Sequence, residues 1–464
     1  MIKEIPATNS RLPMLQLIMH YDLIIKNGTI VTPAESFSGC LAVSKGKIVK
    51  TGILDPSDTA DEIYDADGKH VLPGIIDAHV HFRDPGLTEK EDFETGSIAA
   101  AMGGITLVAD MPNVIPVTST YERFKEKKYI AKDKSYVDFA LFALLNNENL
   151  EDMEDLKKAG ALGFKIFYGS STGDIAAPSH VVLTQQMEKA ASLGMRVGFH
   201  CETNDCNSQF TEIAKKETET PDGFWLDYAR PVLSEANAIS QVIHYAKHLG
   251  TKVHIHHVSS LDGALLSAEA KQNGINLTTE VCPHYLIFDC ENYTFKVYPP
   301  VRDESHRDGL WEAVKKGVID IIASDHAPHT KEDKAKKGWD APAGLSGVET
   351  SVNLLLNEVN KDSLSINEYV RLASESPAKV WGIYPQKGNL LPGADADITI
   401  VDMNMKKIIK ADELHSKSKT SPYDQMEVKG VPVATIIRGK FVMRDGKLTG
   451  KKGYGEFVSP LNPV

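Results

Sequence analysis

The stretch Asp77-Ala78-His79-Val80-His81-Phe82-Arg83 closes an apolar run that reads as a strand over Gly74–Phe82. Two histidines two residues apart on a strand point to the same side, so they can grip one cation together. Further along, four more strand candidates end on a polar residue: Lys165 in GFKIFYG, His200 in GFHCE, His257 in HIHHVSS and Asp325 in IIASDHAPH. Imidazoles, a carboxylate and an amine brought together are the donor set of a hydrolytic metal centre.

Between and around these stretches the chain alternates strand and helix. Strands are expected over Gly74–Phe82, Ile105–Met111, Val137–Leu145, Gly163–Gly169, Arg196–Glu202, Lys252–Ser259, Asn276–Tyr285 and Ile319–Asp325. Helical patterns such as NLEDMEDLKKAG, SEANAISQVIHYAKHLG and LDGALLSAEAKQNG separate them and end in glycine, a common helix stop. Eight such units point to an α/β fold, a (β/α)₈ TIM-like barrel, whose chemistry sits at the C-terminal ends of its strands. All the candidate ligands fall there.

Both chain ends have another texture. YDLIIKNGTIV, GCLAVSKGKIVKTG, DADITIVDM and VPVATIIRGKFVMRDGKLTG are β-rich with glycine turns. Neither end is long enough to bury a core alone, so one β-sandwich built from both is expected. The organisation read from the chain is an N-terminal extension over 1–20, sandwich residues 21–72, a barrel over 73–390 and sandwich residues 391–455.

The chain has 464 residues, with 63 acidic against 51 basic side chains and a net charge of −12. That balance argues against a nucleic-acid partner and leaves room for a small anionic substrate met by a local arginine. Five cysteines without a C-x-x-C pair fit a reducing compartment better than a disulfide framework. The N-terminal apolar run is broken by Pro13 and Gln16, and no run approaches the ~18 apolar residues of a membrane span. The expected location is cytoplasmic, with no membrane partner.

Among the candidate ligands, Lys165 is the sharpest. Phe164, Ile166 and Phe167 flank it, so its strand is buried. Burial lowers a lysine pKa and favours the neutral amine. A neutral amine can take up CO₂ as a carbamate, an anion with two oxygens that can bridge two cations; the competing reading is a lysine paired with an acid. Period-two alternation separates His257 from His254 and His256 and leaves open which side faces the lumen. Asp325 can ligate a cation and also accept a proton from water. His284, in VCPHYL, reads as a packing or ligand-supporting residue. Arg83, Asn113 and Arg302 lie in loops at the expected catalytic face and suit a substrate carboxylate, with capping of loop carbonyls as the alternative. The charged segment 330–344 reads equally as a mobile cover or a solvated loop.

These stretches resemble a known family. DAHVHFRDPG and ASDHAPHTKEDK are similar to the two signature stretches of dihydroorotases, in the amidohydrolase superfamily, and the likeness runs from about Tyr21 to Gly450 through GGITLVADMPN, CPHYL and APAGLSGVET. The resemblance implies a two-zinc site in which His79, His81 and Asp325 hold the buried ion, His200 and His257 the second, and an N6-carboxylated Lys165 bridges them. It further implies that Arg83, Asn113 and His329 hold the substrate carboxylate and ring and that Asp325 shuttles the proton; many relatives are dimers or tetramers, so a homo-oligomer is open, though the sequence does not give the oligomeric state. The reaction would interconvert N-carbamoyl-L-aspartate and L-dihydroorotate in pyrimidine biosynthesis. Many relatives carry Asn where this chain has Tyr298. RPVLSEANAI and SPYDQMEVKG resemble allantoinases, which with hydantoinases are the alternative; those typically lack the arginine after H-x-H and the Asn after Met-Pro. A catalytically dead relative would have lost ligands, and here all six positions are filled.

Overall fold

The computed structural model describes residues 19–169, 175–293, 295–336 and 338–461. The expected extension over 1–20 lies, but for its last two residues, outside them. Eight parallel strands form the barrel: Ile75–Val80, Ile105–Asp110, Asp138–Leu141 continued by Ala143–Leu144, Phe164–Phe167, Val197–His200, Val253–Ile255, Leu277–Val281 and Ile321–Ile322. Every residue of these strands except Thr278 is buried. A parallel sheet covered on both sides has that pattern, which is why the strands read as apolar runs.

The third strand breaks at Phe142, whose N–H donates to the Asp110 carbonyl at 3.1 Å, while the Leu145 N–H donates to the Lys165 carbonyl at 2.9 Å. The strand is thereby handed from its second neighbour to its fourth. The ring closes where the His81 N–H donates to the His326 carbonyl at 2.7 Å, so the H-x-H segment is itself the seam.

Outer helices follow the expected signals. Asp92 caps helix Phe93–Met102 by accepting from the Thr95 N–H. Helices Met153–Ala159 and Val232–Leu249 end at Gly160 and Gly250, both left-handed (φ 97° and 70°), a conformation that costs glycine little. All eight strands are shorter than the sequence pattern suggests, the last three by five residues each. The seventh stops at Val281 because Pro283 opens a short helix, Pro283–Ile287, and proline suits a first helical turn. The eighth ends at Ile322 and the chain turns at Asp325, whose φ is 46°.

The chain ends form one nine-stranded hydrogen-bonded sheet. N-terminal and C-terminal parts meet where His70–Pro73 runs antiparallel to Ile398–Ile408, pairing Val71 with Ile400. The sheet has its own apolar cluster, including Leu23, Ile30, Leu41, Ile398 and Ile436. No helix among the described residues is long and apolar enough to cross a membrane.

Sheet and barrel are locked by a buried charge cluster. The Lys387 ammonium meets Asp138 at 2.6 Å, Asp397 at 2.6 Å and Asp395 at 2.9 Å. Asp138, on the third barrel strand, also accepts from the Arg438 guanidinium. Burial disfavours the ammonium, and the three carboxylates outweigh it, so its pKa is raised. Removing the cation strands buried carboxylates, which costs about 3–5 kcal/mol. Lys387→Met is therefore expected to lose stability of that order in urea unfolding at neutral pH; a loss within ~0.5 kcal/mol, as at an ordinary surface site, would show that the cluster does not hold the two parts together.

Candidate metal centre

His79 and His81 project from the first strand end to the same side, their ring centroids 5.2 Å apart. Each presents Nε2 to Asp325 Oδ1, at 3.3 and 3.2 Å. Each is held from behind through Nδ1: His79 by Glu280 Oε1 at 2.6 Å, and His81 by Asn113 Oδ1 at 2.6 Å. Both partner oxygens can only accept, so Nδ1 donates to each, and Nε2 is the ring atom each histidine turns toward Asp325.

His200 and His257 form a second pair, with His200 Nδ1 2.9 Å from His257 Nε2. His200 Nε2–H donates to Glu202 Oε2 at 2.8 Å, and Glu202 is gripped by Arg230. That leaves His200 Nδ1, which faces His257 Nε2, as the ring atom with a lone pair to offer. The alternation read from HIHHVSS is broken by the backbone. His254 and His256 face Glu280 inside the barrel, within 3.4 and 3.2 Å of Oε2. His257 has φ 39°, which turns its side chain from the opposite side back to the cavity. Arg83 (φ 62°) and Asp325 are also left-handed. Three non-glycine residues in that region at one site are a store of strain, of the kind that gathers at functional sites.

Lys165 Nζ lies in the same interior, buried and with no hydrogen-bond partner in the described structure. Burial first of all brings its pKa down to about 8. Burial also depresses His81, to about 3, and pushes His200 and His257 below the ordinary histidine value. For Asp325 burial works against the anion, yet His79 and His81 outweigh it and hold the carboxyl at about 2. At neutral pH His81, His200 and His257 are therefore neutral imidazoles and Asp325 an ionised carboxylate, the forms that bind cations. Ligand atoms of His79, His257 and Asp325 lie within 4.8 Å of one another. His79, His256 and Glu280 also cluster within that span, but there Glu280 already accepts from the imidazoles, an arrangement that orients rather than ligates.

The cavity above these groups is lined by Arg83, Asn113, Phe167, Tyr298, Ala343 and Gly344 together with the histidines, Lys165 and Asp325. Arg83 is buried; its Nε donates weakly to the Pro328 carbonyl at 3.4 Å and its Nη2 has no partner. No carboxylate lies within ion-pair distance of it among the described residues. Burial brings its pKa down to about 10. His329 is buried beside the cavity wall and donates Nε2–H to the Ala343 carbonyl at 2.8 Å; it does not line the cavity. Buried His284 has both ring nitrogens unpartnered.

Arg302 is corrected by the structure: it does not reach the cavity. Its Nη1 donates to Asp227 at 2.6 Å and to the Arg230 carbonyl at 2.5 Å, its Nε donates to Ser259 at 3.1 Å, and Glu235 lies 3.6 Å away. A guanidinium so engaged braces loops, the capping alternative. The segment 330–344 contributes Ala343 and Gly344 to the cavity wall and is tied down by the Trp339 indole, which donates to the Thr218 carbonyl at 2.9 Å. Sequence reading missed Glu280 and Glu202, and assigned Asn113 to the substrate without its bond to His81. A signal existed for Glu280: a carboxylate in the otherwise uncharged strand Leu277–Val281 needs a buried partner.

The chain matches the Amidohydrolase family over residues 70–442. An L-hydantoinase of Paenarthrobacter aurescens is 36% identical over 454 residues, covering 95% of this chain and 99% of that one. An allantoinase of Deinococcus radiodurans is 34% identical over 442 residues (93% and 97% covered). A dihydroorotase of Methanosphaera stadtmanae is 35% identical over 408 residues (86% and 91% covered). Among solved structures, the L-hydantoinase (dihydropyrimidinase) from Arthrobacter aurescens superposes with a TM-score of 0.92 at 35% identity, covering 95% of this chain and all of the other.

Glu280 fixes His79 without reaching the cavity, so it supplies a clean check. Glu280→Gln keeps the shape and removes the charge behind the imidazole. Apparent affinity for a divalent cation, read by competition with a chromophoric chelator, is expected to fall about 10–100-fold with the fold intact. Unchanged affinity would mean that His79 does not ligate.

Proposed function

The chain belongs to the amidohydrolase family, and from that premise we propose that this cyclic amidohydrolase is a dihydroorotase, interconverting L-dihydroorotate and N-carbamoyl-L-aspartate. The observation that carries the choice of substrate is Arg83. A buried guanidinium without a carboxylate costs several kcal/mol, and a substrate that brings a carboxylate recovers that cost. Dihydroorotate does so; hydantoin and allantoin are rings without one. Asn113, its Oδ1 committed to His81, keeps its amide nitrogen for the same ring or carboxylate.

The donor set fits two divalent ions. His79, His81 and Asp325 would hold one, His200 and His257 the other, and Lys165, carboxylated at Nζ, would join them. The unpartnered Lys165 amine and the juxtaposed His200 Nδ1 and His257 Nε2 support that reading, and zinc suits the ligands. Such ions supply Lewis acidity, lowering the pKa of water and polarising a carbonyl.

The protein's own groups do the rest. Arg83 anchors the substrate carboxylate and so fixes the scissile amide over Asp325. Asp325, ionised at neutral pH, accepts the proton from the attacking water and returns it to the departing ureido nitrogen. The ring C–N bond breaks, a second carboxylate forms and one proton is released; the reverse sequence closes the ring. Asn113 and Glu280 keep His81 and His79 in the tautomer that leaves Nε2 free. The five unpaired cysteines support a reducing, cytoplasmic setting.

A second reading, a hydantoinase or allantoinase, is favoured by the extent of the L-hydantoinase likeness and by Tyr298, an aromatic wall on the cavity. Ring-opening assays on dihydroorotate, allantoin and hydantoin separate the two. Dihydroorotate is expected to be the preferred substrate, and Arg83→Met to lower kcat/KM for it by about 2–5 kcal/mol of transition-state stabilisation. Preference for an uncharged ring, with Arg83→Met indifferent, would overturn the assignment.

A further inference from the structure

The segments that line the catalytic cavity with Val297, Tyr298, Ala343 and Gly344 also line, through the adjacent Phe295, Lys296 and Ala341, a second cleft of about 380 Å³. Its rim carries four lysines, Lys296, Lys331, Lys334 and Lys336, and its floor is apolar, with Phe295 and Leu226. Only Lys336 meets an acid inside the cleft region, Asp333 at 2.6 Å. Lys296 and Lys334 instead donate to carbonyls: Lys296 to Trp339 at 2.7 Å, and Lys334 to Pro342 at 3.1 Å and Gly344 at 2.8 Å. Among the described residues neither they nor Lys331 form an ion pair. On a chain of net charge −12 this is a local reversal of sign. It has an energetic signature as well: burial, followed by repulsion from Lys296, brings Lys334 down to about 8. Cations held together without a counter-charge are stabilised by an anion.

We propose that this cleft binds a nucleoside polyphosphate, its phosphates on the lysine rim and its base against Phe295 and Leu226, and that occupancy inhibits turnover at the neighbouring cavity. The cleft's volume lies in the range of small-molecule sites. An apolar floor with an ammonium rim selects an aromatic anion over a bare one. Coupling is built into the wall. Lys334 holds the Gly344 carbonyl, and the Gly344 N–H donates to the Lys296 carbonyl at 2.8 Å. Phosphates competing for the Lys334 ammonium release the carbonyls of Pro342 and Gly344, and Gly344 lines the catalytic cavity.

Calorimetric titration of the metal-loaded protein with ATP, UTP, inorganic triphosphate and uridine tests this without reference to the ring substrate, so its outcome is separable from that of the proposed function. The nucleotides are expected to bind saturably below about 1 mM, more tightly than triphosphate, and more weakly as salt rises. Lys331→Glu, at an exposed position whose ammonium makes no ion pair or side-chain hydrogen bond among the described residues, is expected to weaken nucleotide binding about tenfold with basal turnover of the preferred ring unchanged. Saturating nucleotide is expected to lower that turnover in the parent protein. Absence of saturable binding, affinity unmoved by Lys331→Glu, triphosphate binding as tightly as nucleotide, or binding with no effect on turnover would each overturn the proposal.

Discussion

The structure turns on an amine with nowhere to put its charge. Lys165 Nζ sits in the barrel interior with no hydrogen-bond partner, where an isolated ammonium costs several kcal/mol. Two acids face the same space, and both are engaged: Asp325 by His79 and His81, Glu280 by three imidazoles. The interior therefore holds more potential ligands than it can satisfy internally. The carbamate on Lys165 and the two cations proposed above would take up the Lys165 amine and His257 Nδ1, both unpartnered here.

The cluster is aimed from outside. Glu280 and Asn113 fix the tautomers of His79 and His81, and Glu202 with Arg230 fixes His200. Gly198, next to Lys165 in register on the neighbouring strand, leaves room for His256: a Cβ there would lie 2.3 Å from His256 Nε2. Packing, hydrogen bonds and left-handed backbone at His257 and Asp325 all serve to place lone pairs. Rigid placement of this kind is what a polar site in a low-dielectric interior needs, since an unmet group there is expensive.

Much of this was legible in the sequence. Alternation carried His79 and His81 to one side, and apolar flanks marked Lys165 as buried. Eight strand–helix units pointed to the barrel, and the texture of the chain ends to a β-rich unit shared by both, expected as a sandwich and joined in the structure as one hydrogen-bonded sheet. What was hidden depended on long-range partners. Arg302 occupies a plausible loop, but Asp227 and Glu235, distant in sequence, claim it. Alternation could not follow the chain past Ile255, because positive φ at His257 reverses the side it faces. Glu280 was passed over because a single acid in a strand has no periodicity to announce it.

Diffraction at the zinc absorption edge, from crystals grown with zinc and bicarbonate, tests the metal centre most directly. Two anomalous peaks are expected, one against His79, His81 and Asp325 and one against His200 and His257, with added density on Lys165 Nζ joining them. A Lys165 side chain without added density, in a cavity that takes up no zinc, would contradict it.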